Sequence, residues 1–166
     1  MQCLLVCLYG SMFNCLYDFM KVVLDTNVLI DGFKDEYSYE KRIINEVIAG
    51  NIEAYANRQT VQENKLILHQ LLQGTDYEQE LNDFFAQVTF VVNRRRIHVV
   101  PDEEDNKILE SAVEAGAEYL VTSDRDLLGL GDYGEIKILK AIDFWARYKD
   151  EDQNTWNEWA SFLTGK

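Results

Sequence analysis

Cysteine is confined to one end of this chain: Cys3, Cys7 and Cys15 all precede residue 20, and none follows. That excludes a disulfide framework for the body of the protein, and no histidine stands at zinc-like spacing from them. A reducing, cytoplasmic setting fits this usage. Proline occurs once, at Pro101, which excludes long disordered or low-complexity tracts, and the 47% hydrophobic content favours a compact fold containing helices. His69 and His98 are the two histidines; neither stands in a motif with metal-ligand spacing, so both read as structural or exposed. Positive charge is scarce, with 16 Lys and Arg against 29 Asp and Glu and a net charge of -13. Bulk charge therefore cannot drive nonspecific binding to nucleic acid. It does not exclude a nuclease, because cations bound by a carboxylate cluster neutralise part of it.

A long apolar run is also missing. Residues 1–19, MQCLLVCLYGSMFNCLYDF, are interrupted by Gly10, Ser11, Asn14 and Asp18. They fall short of the roughly 20 apolar residues of a membrane helix, so no membrane attachment is expected. No Lys or Arg precedes Lys21 and no small-residue cleavage site follows, so the segment lacks the charged start of a signal peptide. Met20 opens MKVVLDTNVLI as a domain would start. Residues 1–19 read as an appendage, either translated from an upstream start codon or packed on the domain as a short extra element. The 166 residues otherwise suffice for one domain with a proper core.

Along that domain, strand and helix patterns alternate. Lys21 to Asp25 reads as a buried strand, with Thr26 and Asn27 suited to start a helix. Tyr39 to Ala49 has Ile43, Ile44, Val47 and Ile48 on one helical face, stopped by Gly50. Ile52 to Ala56 alternates as a half-buried strand does. Helices are expected over Thr60 to Leu72 and Tyr77 to Phe90, although TFVV at the end of the second favours strand. Ile97 to Val100 is expected to be a strand closed by Pro101, and Asp102 to cap a helix from Glu103 to Ala115, stopped by Gly116. Strands at Tyr119 to Thr122 and Ile136 to Leu139 and a helix at Ala141 to Tyr148 complete the series. This order predicts an α/β fold with a central, mainly parallel sheet covered on both faces. In the tail, Trp156, Trp159 and Leu163 form a helical stripe, suited to docking on the domain or to a partner or dimer surface.

Four acids stand at the edges of apolar runs: Asp25 in VVLDTNVLI, Glu63 in RQTVQENKLIL, Asp105 in PDEEDNKILESA and Asp124 in LVTSDRDLL. An unpaired charge at the end of a buried strand is costly, and several carboxylates brought together repel unless a cation joins them. Asp25 and Asp124 follow strands, Asp105 lies in the first turn of a helix, and Glu63 lies early on one. Sites in open α/β sheets form beyond the carboxyl ends of strands, so the four can gather at one rim. The pattern points to a divalent metal site. Among the scarce cations, the run Arg94-Arg95-Arg96 has two readings: a phosphate grip, or a solvated turn before a strand, which is the commoner fate of a charge run.

LDTNVLI, the helix-borne Glu63, DEEDNKILESAVEAGAEYLVTSDRDLL and the closing strand resemble the PIN-domain ribonucleases. Among these they are most similar to the VapC-like toxins of prokaryotic toxin–antitoxin systems. The resemblance runs from Met20 to about Tyr148, leaving residues 1–19 and a tail at 149–166 outside the nuclease unit. It implies a three-layer α/β/α sandwich and a ribonuclease dependent on Mg²⁺ or Mn²⁺. Asp25, Glu63, Asp105 and Asp124 match the family's acidic quartet, with Asp25, Asp105 and Asp124 as metal ligands. Glu63 would bind metal or orient the attacking water. Asp126 matches an accessory acid, and Asn27 and Thr122 match polar positions lining the site. An RNA substrate, an antitoxin partner and a homodimer are the implied associations. Each residue has a plainer alternative. Asp25 can cap the following helix, Asp105 can complete a capping box with Asp102, and Glu63 can be a solvated helical glutamate. Asp126 can cap a short turn, and Thr122 can be an ordinary strand threonine. Beside an RNA-processing nuclease outside a toxin–antitoxin system, two other functions compete: a non-catalytic interaction module of the same fold, and phosphoryl transfer of the haloacid-hydrolase kind. Four retained like charges argue against the first; Asn27, standing where the second requires an acid, argues against the other.

Overall fold

The computed structural model describes residues 19–71, 77–150 and 161; the first 18 residues and the Trp156, Trp159 and Leu163 stripe lie outside them. The apolar run after Met20 forms β1 (Lys21–Leu24), and the chain turns at Asp25 into α1 (Thr26–Lys34) and α2 (Tyr39–Ile48). β2 (Glu53–Asn57), α3 (Arg58–Leu71), α4 (Tyr77–Gln87) and β3 (Thr89–Val91) follow. A loop over residues 92–102 leads into α5 (Glu103–Ala115) and β4 (Tyr119–Val121). α6 (Arg125–Leu130), β5 (Asp132–Tyr133) and β6 (Ile136–Leu139) come next, and residues 141–150 are helical, here α7.

The sheet has the order β3-β2-β1-β4-β6-β5, parallel throughout except for β5 against β6. Alternation along the strands divides the core into two. Val22, Leu24, Ala54, Tyr119 and Val121 face one side, where α1 to α4 and α7 cover them with Val28, Phe33, Ile44, Leu68, Phe84 and Phe144 among others. Val23, Leu120, Ile136 and Ile138 face the other, covered by Leu109 and Ala112 of α5 and Leu127 of α6. The result is the expected three-layer α/β/α sandwich. α1 and α2 cross closely at Gly32, where an added Cβ would lie 2.6 Å from the Ile44 Cδ1 and 3.1 Å from the Lys41 backbone nitrogen. Gly116 ends α5 in the left-handed region, φ 60 and ψ 40, and its N–H bonds back to the carbonyls of Ala112 and Val113.

Three details differ from the sequence expectations. α4 stops at Gln87, and Thr89–Val91 form an edge strand on β2. The DLLGL segment is a six-residue helix rather than a turn, followed by the short β5. Residues 97–100 are not a strand. Ile97 and Val100 are buried because they pack in the α5-side core. Their backbone N–H groups are taken by side chains of α5: Ile97 by Glu110 at 2.9 Å, and Val100 by Asn106 at 3.2 Å. An apolar stretch satisfied in this way gives a strand's burial pattern without a sheet partner.

Candidate active site

The strand order reverses direction between β1 and β4, and their adjacent carboxyl ends form the crevice where α/β sheets bind ligands. Asp25 is the first residue beyond β1. Its backbone N–H continues the ladder to the Val121 carbonyl at 3.0 Å, which fixes its side chain at the rim. It is 3% exposed. Asp25 also caps α1, since its Oδ1 accepts from the Asn27 N–H at 3.4 Å, and the Asn27 amide donates to Oδ2 at 3.4 Å. The capping alternative and the site position thus hold together.

Thr122, the first residue beyond β4, links the two strand ends. Its N–H bonds to Leu139 on β6 at 3.0 Å. Its hydroxyl donates to Asp25 Oδ2 at 2.6 Å and accepts from the Asp124 N–H at 2.9 Å. Asp124 in turn caps α6, its Oδ1 accepting from Asp126 N–H at 2.7 Å and Leu127 N–H at 3.1 Å. With Oδ1 so engaged, Oδ2 is the oxygen left for another ligand. Asp105 enters from α5, where Asp102 is the N-cap and accepts from the Glu104 N–H at 2.7 Å.

Electrostatics tie these groups together. The Asp105 carboxyl is pushed up to about 6, first by burial and then by the negative charges of Asp124, Asp102, Asp25 and Asp126. Asp25 is also raised; burial outweighs the hydrogen bonds from Thr122, Asn27 and Thr26, and Asp124 adds a smaller push. Among the described residues, the ion pairs join Asp31, Glu80, Glu110, Glu104 and Glu46 to Lys or Arg, Glu78 lies against His69, and none of these involves a site aspartate. Nor do any three acidic, histidine or cysteine side chains among them converge as a ready-made chelate. The carboxylates lie within electrostatic reach of one another rather than at shared coordination distance. Hard, partly desolvated oxygens with no compensating cation are the donor type that suits a hard divalent cation.

Asp126 and Asn27 are exposed at the edge of this cluster. Glu63 stands apart: it is exposed on α3, its Oε1 accepts from Gln59 at 3.0 Å, and it is not among the main charges acting on Asp105. Its field is felt by Lys107, two residues beyond Asp105, whose ammonium is paired with Glu104. The sequence reading missed Asn106, a buried side chain that fixes the loop leading into α5. Its signal was local, since every bond it makes reaches back no more than seven residues.

The raised Asp105 has a measurable consequence. Its folded value lies above the ordinary 3.8, so the folded state binds more protons than the unfolded one between about pH 4 and pH 6. The metal-free protein should therefore lose stability as pH rises through that window. Asp105 is only partly buried, so solvent screening limits the loss to about 1 kcal/mol. Asp105→Asn should raise the melting temperature in EDTA at pH 7 and leave it unchanged near pH 4. Equal melting curves for the two proteins at pH 7 would contradict this account.

Residues 21–126 match the family model described as PIN domain, a segment that opens with β1 and contains every acid of the site. The chain is also similar to an uncharacterized protein of Methanocaldococcus jannaschii, 29% identical over 127 residues that cover 73% of this chain and 80% of the relative. No solved structure matches it. With its reversing parallel sheet and acidic rim, the chain belongs to the PIN-domain family, a fold that generally carries nucleases using divalent metal ions.

Proposed function

We propose that this protein is a metal-dependent endoribonuclease that hydrolyses RNA phosphodiester bonds. The observation that carries this reading is the hydrogen-bonded chain Asp25–Thr122–Asp124 across the β1 and β4 ends, with Asp105 facing it from α5. Asp25, Asp105 and Asp124 would hold Mg²⁺ or Mn²⁺. When bound, such an ion supplies a Lewis acid for the phosphate and a water of lowered pKa. Thr122 keeps the Asp25 carboxylate in one orientation, and the α1 start holds it from the other side. Asp126, exposed at the edge of the cluster, would orient water or substrate there, Asn27 would hold Asp25, and Glu63, supported only by the resemblance, would orient the attacking water. The choice of RNA over DNA is supported by the VapC-like motifs.

The same motifs support a toxin role in the cytoplasm, opposed by an antitoxin whose basic segment would suit the acidic rim. The nuclease unit would then be residues 20–148, with a homodimer as the expected assembly and the tail at 149–166 as an added element. Among the described residues no helix is long and apolar enough to cross a membrane.

Incubating the purified chain with RNA in Mn²⁺ and in EDTA tests the central reading. Cleavage should require Mn²⁺, stop in EDTA and resume when excess Mn²⁺ is added. A basic polypeptide encoded beside the gene should suppress it. RNA cut equally well in EDTA would refute the metal mechanism, and RNA left intact under every condition would refute the activity.

A further inference from the structure

Arg94, Arg95 and Arg96 are the only three consecutive cations in a chain of net charge -13. The loop that carries them folds back along α5, and acids of α5 hold its backbone rather than most of its guanidinium groups. Glu114 Oε1 accepts from the N–H of Arg94 at 3.1 Å and of Arg95 at 3.2 Å. Buried Glu110 accepts from the Ile97 N–H at 2.9 Å and from the Asn93 amide at 3.2 Å. Asn93 also donates to the Lys107 carbonyl at 3.0 Å and accepts from the Ser111 hydroxyl at 3.2 Å. Only Arg96 is paired, its Nη1 lying 3.6 Å from Glu110, and its side chain is still 72% exposed. Arg94 and Arg95 are exposed and form no ion pair among the described residues. The loop is thus fixed before any ligand arrives, and a fixed loop loses less conformational freedom on binding.

We propose that the Arg94–Arg96 loop grips the phosphate backbone of the RNA strand a few nucleotides from the bond that is cut. This rests on the ribonuclease reading above. Three arguments favour RNA over an acidic polypeptide. A polyanion approaching a strongly acidic protein needs a local positive foothold, and this run is the densest one in the sequence. Guanidinium forks match phosphate oxygens in pairs. The loop is also tied to the helix that carries Asp105. Glu110 and Glu114 lie five and nine residues further along α5, about 7 and 13 Å at 1.5 Å per residue. That is a reach of a few nucleotides along a single strand.

Fluorescence anisotropy with a short labelled single-stranded RNA, in EDTA and over a range of KCl, tests the proposal on the full chain. The double variant Arg94→Ala, Arg95→Ala should bind about tenfold to a hundredfold more weakly. Its dependence of log K on log salt should be shallower by about 1.4, from two lost phosphate contacts at ~0.7 each. Arg94→Lys with Arg95→Lys should restore most of the salt slope. Unchanged affinity and slope in the alanine variant would overturn the proposal, as would failure of the unaltered protein to bind RNA. Loss of binding to polyglutamate with RNA binding intact would overturn it in favour of a protein partner. Manganese-dependent hydrolysis of a small phosphodiester by the unaltered protein reports the acidic site separately. Its absence, beside arginine-dependent RNA binding, would refute the site reading and leave the loop assignment standing.

Discussion

Asp25→Asn is expected to remove RNA cleavage while leaving the protein folded and at least as stable. The carboxylate is 3% exposed, has no cationic partner among the described residues, and is raised mainly by burial. Asparagine has nearly the same shape. Its oxygen can still accept from the Asn27 N–H to cap α1, and the Thr122 hydroxyl can turn to accept from the new amide. Removing a buried, uncompensated charge offsets the loss of one charge-assisted hydrogen bond. Cleavage should suffer far more. Asp25 lies at the centre of the chain that joins the β1 and β4 ends, and a neutral amide is a much weaker ligand for a hard cation. The expected loss is about 10³-fold in kcat/KM, or about 4 kcal/mol of transition-state stabilisation. Initial rates in Mn²⁺ and thermal melts in EDTA, on the same preparation, measure both quantities. A variant that stays folded and cleaves within tenfold of the original would remove Asp25 from the mechanism.

The parts of this fold legible in the sequence are those set by local signals. α5 spans the expected residues because Asp102 caps it and Gly116 stops it, and each acts within one turn. β1 and β6 were plain from short stretches rich in Val, Ile and Leu. The strand order was not, because pairing of β1 with β4 joins residues 97 apart and no local pattern records it. Residues 97–100 were misread for a related reason: burial shows in the sequence, but the identity of the hydrogen-bond partner does not. The acids followed the same division. Asp25, Asp105 and Asp124 could be placed at one rim from their positions at strand ends and in a first helical turn. Glu63 was expected at the same rim from its place early on a helix after a strand, but the structure leaves it exposed on α3, outside the cluster that acts on Asp105. The Thr122–Asp25 bond depends on the β1–β4 pairing, so Thr122 could only be read as a strand threonine or as a position of the resembled family.

Asn106→Ala should cost about 2–4 kcal/mol of folding stability and reduce cleavage as well. Its side chain, 3% exposed, makes four bonds to the backbone before α5. Oδ1 accepts from the N–H of Val99 at 2.9 Å and of Val100 at 3.2 Å. Nδ2 donates to the carbonyls of Val100 at 2.8 Å and Asp102 at 2.7 Å. Alanine leaves these groups without that partner. Each one still buried costs about 1–3 kcal/mol, although water reaches some of them once the loop loosens. The Asp102 carbonyl keeps its helical bond to the Asn106 N–H, so α5 itself should persist. What loosens is the approach to it, the segment that sets the angle at which Asp102 caps the helix and Asp105 meets Asp25 and Asp124. Chemical denaturation should show a lower midpoint with an unchanged slope, and the melting temperature should fall by about 5–15 °C. Under conditions where the variant is fully folded, kcat should drop more than KM rises, because Asn106 touches neither RNA nor ligand and acts by positioning Asp105. Asn106→Asp keeps the two acceptor bonds but turns an oxygen toward the Val100 and Asp102 carbonyls and buries a negative charge beside Asp102 and Asp105, so at pH 7 it should be no more stable than the alanine variant. An alanine variant that is less stable yet equally active when folded would confine Asn106 to a structural role and separate the geometry of the 97–102 loop from the chemistry at the rim.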